Sequence, residues 1–176
     1  MGAAEHAVMR LLPGPARKGT TWFGTVGDIV QQPPAWGTVA AGLALAGGAP
    51  GRRAAARGAV CYGASAVVAN VLIKPFVRRS RPTGAGKRRP GPLTSSFPSG
   101  HAATELSFAF GAAQEIPWLL VPLAGATVAA HWSLVRSRGH YPSDVLVGGA
   151  VGIAVAVALQ RVWPPHRGRE SGDITP

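Results

Sequence analysis

Long apolar runs rich in Ala, Val, Leu and Gly alternate along this chain with three short polar stretches. Trp36 to Ala49 is the first run that could cross a membrane, and Gly47-Gly48 and Pro50-Gly51 end it. Ala54 to Ile73 is the second, long enough for the ~30 Å hydrocarbon core of a bilayer. The third starts at Pro98-Ser99-Gly100-His101 and runs to about Gln114, which is short for a span. Ile116 to Val135 and Val145 to Trp163 follow. This pattern predicts an all-α integral membrane bundle of about five transmembrane helices. Ahead of it, Trp22, Phe23, Val26, Ile29 and Val30 recur at helical spacing before Pro33-Pro34 and predict an N-terminal amphipathic helix. An interfacial anchor and an ordinary packed helix fit that spacing equally well. The expected division is an interfacial segment over 1–34, a membrane domain over 35–163 and a polar tail over 164–176. Gly148 and Gly152 lie four apart in the last run, a spacing that lets helices approach closely.

Composition agrees with a membrane setting. Hydrophobic residues make up 47% of the 176 and charged ones 14%, against roughly 25% charged in soluble domains. The formal charge is +11, from 18 Lys and Arg against 7 Asp and Glu. On so apolar a background this favours anionic lipid or phosphorylated partners. No aromatic-studded basic sheet or helix motif points to nucleic acid. Cys61 is the single cysteine and reads as a small buried apolar residue. Pro13, Pro15, Arg17 and Lys18 interrupt any leader-like pattern, so insertion is expected to rest on the later apolar runs.

With five spans, all three polar stretches fall at one membrane face, and such a convergence makes a site. In the first, Lys74 and Arg81 flank Arg78 and Arg79. These cations can neutralise a phosphate, or merely touch anionic lipid. In the second, Ser99 suits a helix N-cap, Gly100 permits close backbone approach, and the free N–H groups of the first turn suit an anion. His101 has the right side chain to protonate a leaving oxygen. In the third, His140 and Asp144 lie four apart. An Asp on one imidazole nitrogen fixes the tautomer and frees the other to attack. A third metal ligand at helical spacing is lacking and the surplus cations would repel a metal ion, so neither a metal nor another cofactor is expected. His131 inside the fourth run reads best as a neutral His facing a helix partner. Glu105 could bond His101 or face the interior.

The three stretches resemble the signature of the type 2 phosphatidic acid phosphatase superfamily. That signature is Lys, six residues, Arg-Pro; then Pro-Ser-Gly-His; then Ser-Arg, five residues, His, three residues, Asp. Lys74, Arg81 and Pro82 match the first part, Pro98 to His101 the second, and Ser133, His140 and Asp144 the third. The resemblance covers roughly residues 55–163 and implies a membrane-bound lipid phosphate phosphatase. It implies that His140 forms a phosphohistidine, that Asp144 orients it and that His101 protonates the leaving alcohol. Lys74, Arg81, Ser99 and the Gly100 backbone would hold the phosphate, without a metal.

One position departs, because the signature's third-part Arg is Leu134 here. Losing one preorganised donor costs about 10²–10³-fold in rate. Arg136 and Arg138 are the nearby cations that could take its place in phosphate binding. The departure also leaves open a degenerate member that binds anionic lipid without cleaving it. More Lys and Arg flank the motif side than the other side, which points the site to the cytoplasm in a multi-pass cell-membrane protein. The Ala- and Gly-rich composition looks like that of a high-GC bacterium, and within the resembled family this makes a polyprenyl-phosphate sugar such as decaprenylphosphoryl-5-phosphoribose one candidate substrate. Phosphatidic acid, phosphatidylglycerophosphate and polyprenyl diphosphate are others, and oligomeric state is not legible.

Overall fold

A computed structural model of the chain describes residues 3–12, 25, 27, 29–82, 95–136 and 138–166. Among these, every regular element is a helix. Helix α1 is Ala3–Leu11 and α2 is Pro33–Ala46. Helix α3, Gly48–Val67, continues through a π-helical stretch, Val68–Ile73, and a 3₁₀ turn, Lys74–Phe76. Helix α4 is Gly100–Ala113. Helix α5, Leu120–Arg136, is led in by the 3₁₀ turn Pro117–Leu119, and α6 is Pro142–Val162.

The boundaries follow local chemistry. Gly48 at φ 60° reverses the chain between α2 and α3, a conformation that side chains disfavour. Helix α3 then begins at once, so Arg52, Arg53 and Arg57 lie on its early turns rather than in a loop before Ala54. Pro50 is tolerated there because first-turn N–H groups have no helical partner. Among the described residues, three helices are long and apolar enough to cross a membrane: Gly48–Phe76, Pro117–Arg136 and Pro142–Val162. Helices α2 and α4 have 14 residues each, about 21 Å at 1.5 Å per residue. Each of the five expected apolar runs is helical, but only three have the length of a span.

Helix α4 is the centre of the bundle and packs against α3, α5 and α6, while α2 packs on α3. Ala102, Ala103, Ala109 and Ala112 are fully buried on it, so neighbouring backbones approach closely. The approach is tightest at α6. A Cβ on Gly148 would meet the Ser99 carbonyl oxygen at 2.4 Å, and one on Gly152 would meet that of Ala103 at 2.1 Å. Trp36, Ala54, Phe108, Ala112 and Leu119 form the main apolar cluster, with the Trp36 and Phe108 rings 5.1 Å apart. Cys61 is buried. Trp22, Phe23 and Val26 of the expected amphipathic helix lie outside the described residues. Ile29 beyond them is exposed, and Val30 packs on the Trp36 cluster.

A buried arginine closes the far end. Arg57 Nε donates to Glu115 Oε1 at 2.9 Å, and its other nitrogens reach the Trp163 and Pro164 carbonyls at 2.5 and 2.9 Å. Arg53 adds a bond to Glu115 at 3.2 Å. One residue thereby ties the start of α3 to the ends of α4 and α6. Burial would raise the Glu115 carboxyl, but the Arg57 and Arg53 guanidiniums and the His166 N–H outweigh it and hold it below its ordinary 4.5. A depressed carboxylate stabilises the fold above its unfolded value, and that contribution is lost as pH falls through the folded one. Melting curves in detergent should show wild type more stable than Glu115→Gln at neutral pH. The difference should close as the pH is taken below 4.5.

Candidate active site

The opposite end gathers the three polar stretches. Where α3 loosens into its π-helical stretch, Asn70 turns its amide inward, anchored by a bond to the Ala66 carbonyl at 3.0 Å. Lys74 Nζ donates to Asn70 Oδ1 at 2.9 Å and is largely buried. A Cβ on residue 100 would fall 2.7 Å from Asn70 Oδ1. Gly100 thus lets the Asn70–Lys74 pair lie against the start of α4.

Residues 77–81 are non-helical and are stitched to the segment before α4. Ser96 N donates to the Arg79 carbonyl at 2.9 Å, Arg79 N to Ser95 Oγ at 3.2 Å, and Ser96 Oγ to the Ser80 carbonyl at 3.3 Å. This pairing aims Arg81 at the third stretch. One Arg81 nitrogen donates to the Gly139 carbonyl at 2.8 Å and lies 3.2 Å from His140 Nε2.

His140 is buried, and its Nδ1 donates to the Ser96 carbonyl at 3.0 Å. Asp144 Oδ2 stands 3.6 Å from the same nitrogen, beyond hydrogen-bond range, and accepts instead from Tyr141 N at 2.9 Å. The geometry thus differs from the expected direct Asp–His bond. A backbone carbonyl takes the imidazole N–H, and the carboxylate supports it from behind. The Asp144 carbonyl also accepts from Ser99 N at 2.9 Å, which joins the start of α6 to the start of α4.

Ser99 is the N-cap of α4: its fully buried hydroxyl accepts from Ala102 N at 3.4 Å. His101 is exposed two residues further on, within reach of the charges of His140, Lys74 and Arg81. Arg138 has φ 59° in the turn leading to His140, and Arg136 carries a buried Nε without a partner. Glu105 faces the interior, 3.8 Å from His131, whose Nδ1 donates to the Thr127 carbonyl at 2.7 Å. Among the described residues, no three His, Cys, Asp or Glu side chains gather as a metal-ligand set.

Four further residues belong to this end. Asn70 lies four before Lys74, a helical pairing that spacing could have revealed. Ser96 acts through its carbonyl, which side-chain chemistry does not show. Arg79 bonds Asp144 Oδ1 at 2.6 Å, yet nothing in the basic run separates it from Arg78. Glu5, from the first helix, bonds Arg79 and Ser143.

Chemically, this is an imidazole with one nitrogen fixed and the other facing a guanidinium, beside an ammonium and an exposed second imidazole. Such a cradle can neutralise a phosphoryl group and present a nucleophile to it.

A profile of the PAP2 superfamily matches residues 55–167, which contain all three polar stretches. The decaprenylphosphoryl-5-phosphoribose phosphatase of Mycobacterium tuberculosis is 36% identical over 107 residues, 57% of this chain and 58% of that protein. The lipid A 1-phosphatase of Porphyromonas gingivalis is 42% identical over 77 residues, 40% of this chain and 17% of that one. The matches thus span less than two thirds of these relatives. The crystal structure of a transmembrane PAP2-type phosphatidylglycerolphosphate phosphatase from Bacillus subtilis superposes with a TM-score of 0.64 at 18% identity, over 94% of this chain and 88% of that one. With half the chain and more inside the matched profile, and the same fold in a solved member, the chain belongs to the PAP2 superfamily.

Proposed function

We propose that this protein is a metal-independent phosphatase that removes a phosphate from a membrane lipid through a phosphohistidine at His140. The observation that carries this is the double fixing of His140: Nδ1 on the Ser96 carbonyl, and Nε2 beside the Arg81 guanidinium. A bound phosphate takes over Arg81 as its partner and places phosphorus opposite the Nε2 lone pair. Nε2 then forms the N–P bond, the P–O bond to the lipid breaks, and His101 gives its proton to the leaving oxygen. A water, deprotonated by His101, attacks the phosphohistidine; the N–P bond breaks and phosphate leaves. Lys74, Arg81 and the Gly100 N–H meet the charge on the phosphoryl oxygens, and Ser99 holds the turn that presents that N–H. Arg136 and Arg138 are the cations nearest in sequence to the Arg that Leu134 replaces, and they are assigned its work.

An apolar cavity of about 580 Å³ supports a lipid substrate. Val8, Leu106, Val128, Val145, Leu146 and Ile153 line it, next to the turn that carries His140 and Asp144. The match to the mycobacterial relative favours a polyprenyl-phosphate sugar such as decaprenylphosphoryl-5-phosphoribose. The excess of Lys and Arg on the site side favours a cell-membrane protein with its site toward the cytoplasm.

The test is phosphate release by detergent-purified protein from a panel of lipid phosphates with a chelator present. Release should persist in chelator, fall with vanadate and be fastest on the polyprenyl-phosphate sugar. Loss of turnover in chelator would sink the metal-free mechanism. A non-catalytic lipid binder is the second reading, favoured by Leu134. It gains the ground if wild type releases nothing from any lipid while Leu134→Arg does.

A further inference from the structure

Phosphoryl transfer through His140 leaves Arg79 and Glu5 unused, yet they form a densely bonded cluster at this end of the bundle. The Arg79 side chain is nine-tenths buried. One of its terminal nitrogens donates to Asp144 Oδ1 at 2.6 Å and to Ser143 Oγ at 2.7 Å; the other bonds Glu5. Its guanidinium stacks over the Tyr141 ring at 4.3 Å. The second Glu5 oxygen takes the Ser143 hydroxyl. Met9, one turn along the same helix, packs on Val135 and Tyr141.

We infer that Arg79, backed by Glu5 of α1, is a positioning residue that holds Asp144 behind His140, which makes α1 part of the catalytic framework. The inference rests on the phosphohistidine reading. Asp144 has two oxygens and divides them: Oδ2 serves Tyr141 N and faces His140 Nδ1, while Oδ1 is held by Arg79. Without Arg79 the carboxylate loses its partner at Oδ1, and the buried Asp144 is left beside a second, partly exposed carboxylate, Glu5. Removing one partner of a buried ion pair leaves an uncompensated charge, the costly case. Glu5 in turn takes the other terminal nitrogen of the guanidinium and pins α1 over the turn that carries His140. Because its terminal nitrogens meet carboxylates and a hydroxyl among the described residues, the Arg79 side chain supports the site from behind and does not grip phosphate.

The test compares Arg79→Gln, Arg79→Lys, Glu5→Gln and the double variant Glu5→Gln/Arg79→Gln in full-length protein. Arg79→Gln should lower kcat by about 10- to 100-fold, the scale of a misplaced catalytic group. KM and vanadate inhibition should hold. Arg79→Lys, which keeps the charge without the fork, should fall between. The double variant should exceed Arg79→Gln, since it removes one of the two neighbouring carboxylates. A weakened vanadate inhibition at unchanged kcat would assign Arg79 to the phosphate and overturn the inference. So would unchanged kinetics, or a loss confined to melting temperature. Amide exchange over residues 3–11 reads the tether without any turnover. Both Arg79→Gln and Glu5→Gln should lose protection there, and unchanged protection refutes the role of α1 even if wild type proves inactive. Full activity of His140→Ala would instead strike the phosphohistidine reading, whatever Arg79 does.

Discussion

His140→Ala protein should fold, bind vanadate weakly or not at all, and release phosphate at least about 10⁴-fold more slowly than wild type, the scale of losing a nucleophile. The fold should survive because the imidazole holds little else in place. The Ser96 carbonyl is deprived of its Nδ1–H donor, at a cost of about 1–3 kcal/mol for an unsatisfied buried group, while Arg81 keeps its bond to the Gly139 carbonyl. Free-phosphate assay and a melting curve on one preparation check both halves. If phosphate release persisted in well-folded His140→Ala, the nucleophile would lie elsewhere.

The second large effect should come from a residue with no chemistry at all. In Gly152→Ala the new methyl would sit 2.1 Å from the Ala103 carbonyl oxygen, so α6 must move off α4. Overpacking of this kind costs about 1–3 kcal/mol. The displacement does not stay local. Helix α6 starts two residues after His140, and its Asp144 carbonyl is bonded to Ser99 N at the start of α4. Misplacing reacting groups by about an ångström costs about 10²-fold. Gly152→Ala should therefore lose both melting temperature and activity. Gly125→Ala on α5, whose methyl meets nothing within 4 Å, should lose neither. Equal behaviour of the two would mean that α4 and α6 are not in close backbone contact at this point.

Much of this was legible because the lipid environment simplifies the code. Apolar runs announced the helices, and the residues that interrupt them announced the site. Lys74, Arg81, His140 and Asp144 lie at one end of the bundle, and Gly148 and Gly152 mark a close approach of α6 to α4. Helix starts were less clear. Pro50-Gly51 mark the end of the first run in the sequence, although they and the arginines after them belong to α3, because a first turn accepts Pro and a far-end carboxylate holds the charge. Side-chain types do not reveal backbone partners, so the sequence points to Asp144 for a bond that His140 makes to the Ser96 carbonyl. Glu5 could not be linked to Arg79 from sequence, since 74 residues separate them and only the closed bundle brings them together.

The π-helical stretch before Lys74 has a consequence for how this chain can vary. The Lys74 N–H bonds back to the carbonyl of Ala69, five residues earlier rather than four. Each helical residue advances the side-chain direction by roughly 100°. The heading of the Lys74 ammonium is therefore a matter of counting. A single-residue insertion or deletion between Ser65 and Lys74 would leave the hydropathy profile intact and turn the charge away from Arg81 and the start of α4.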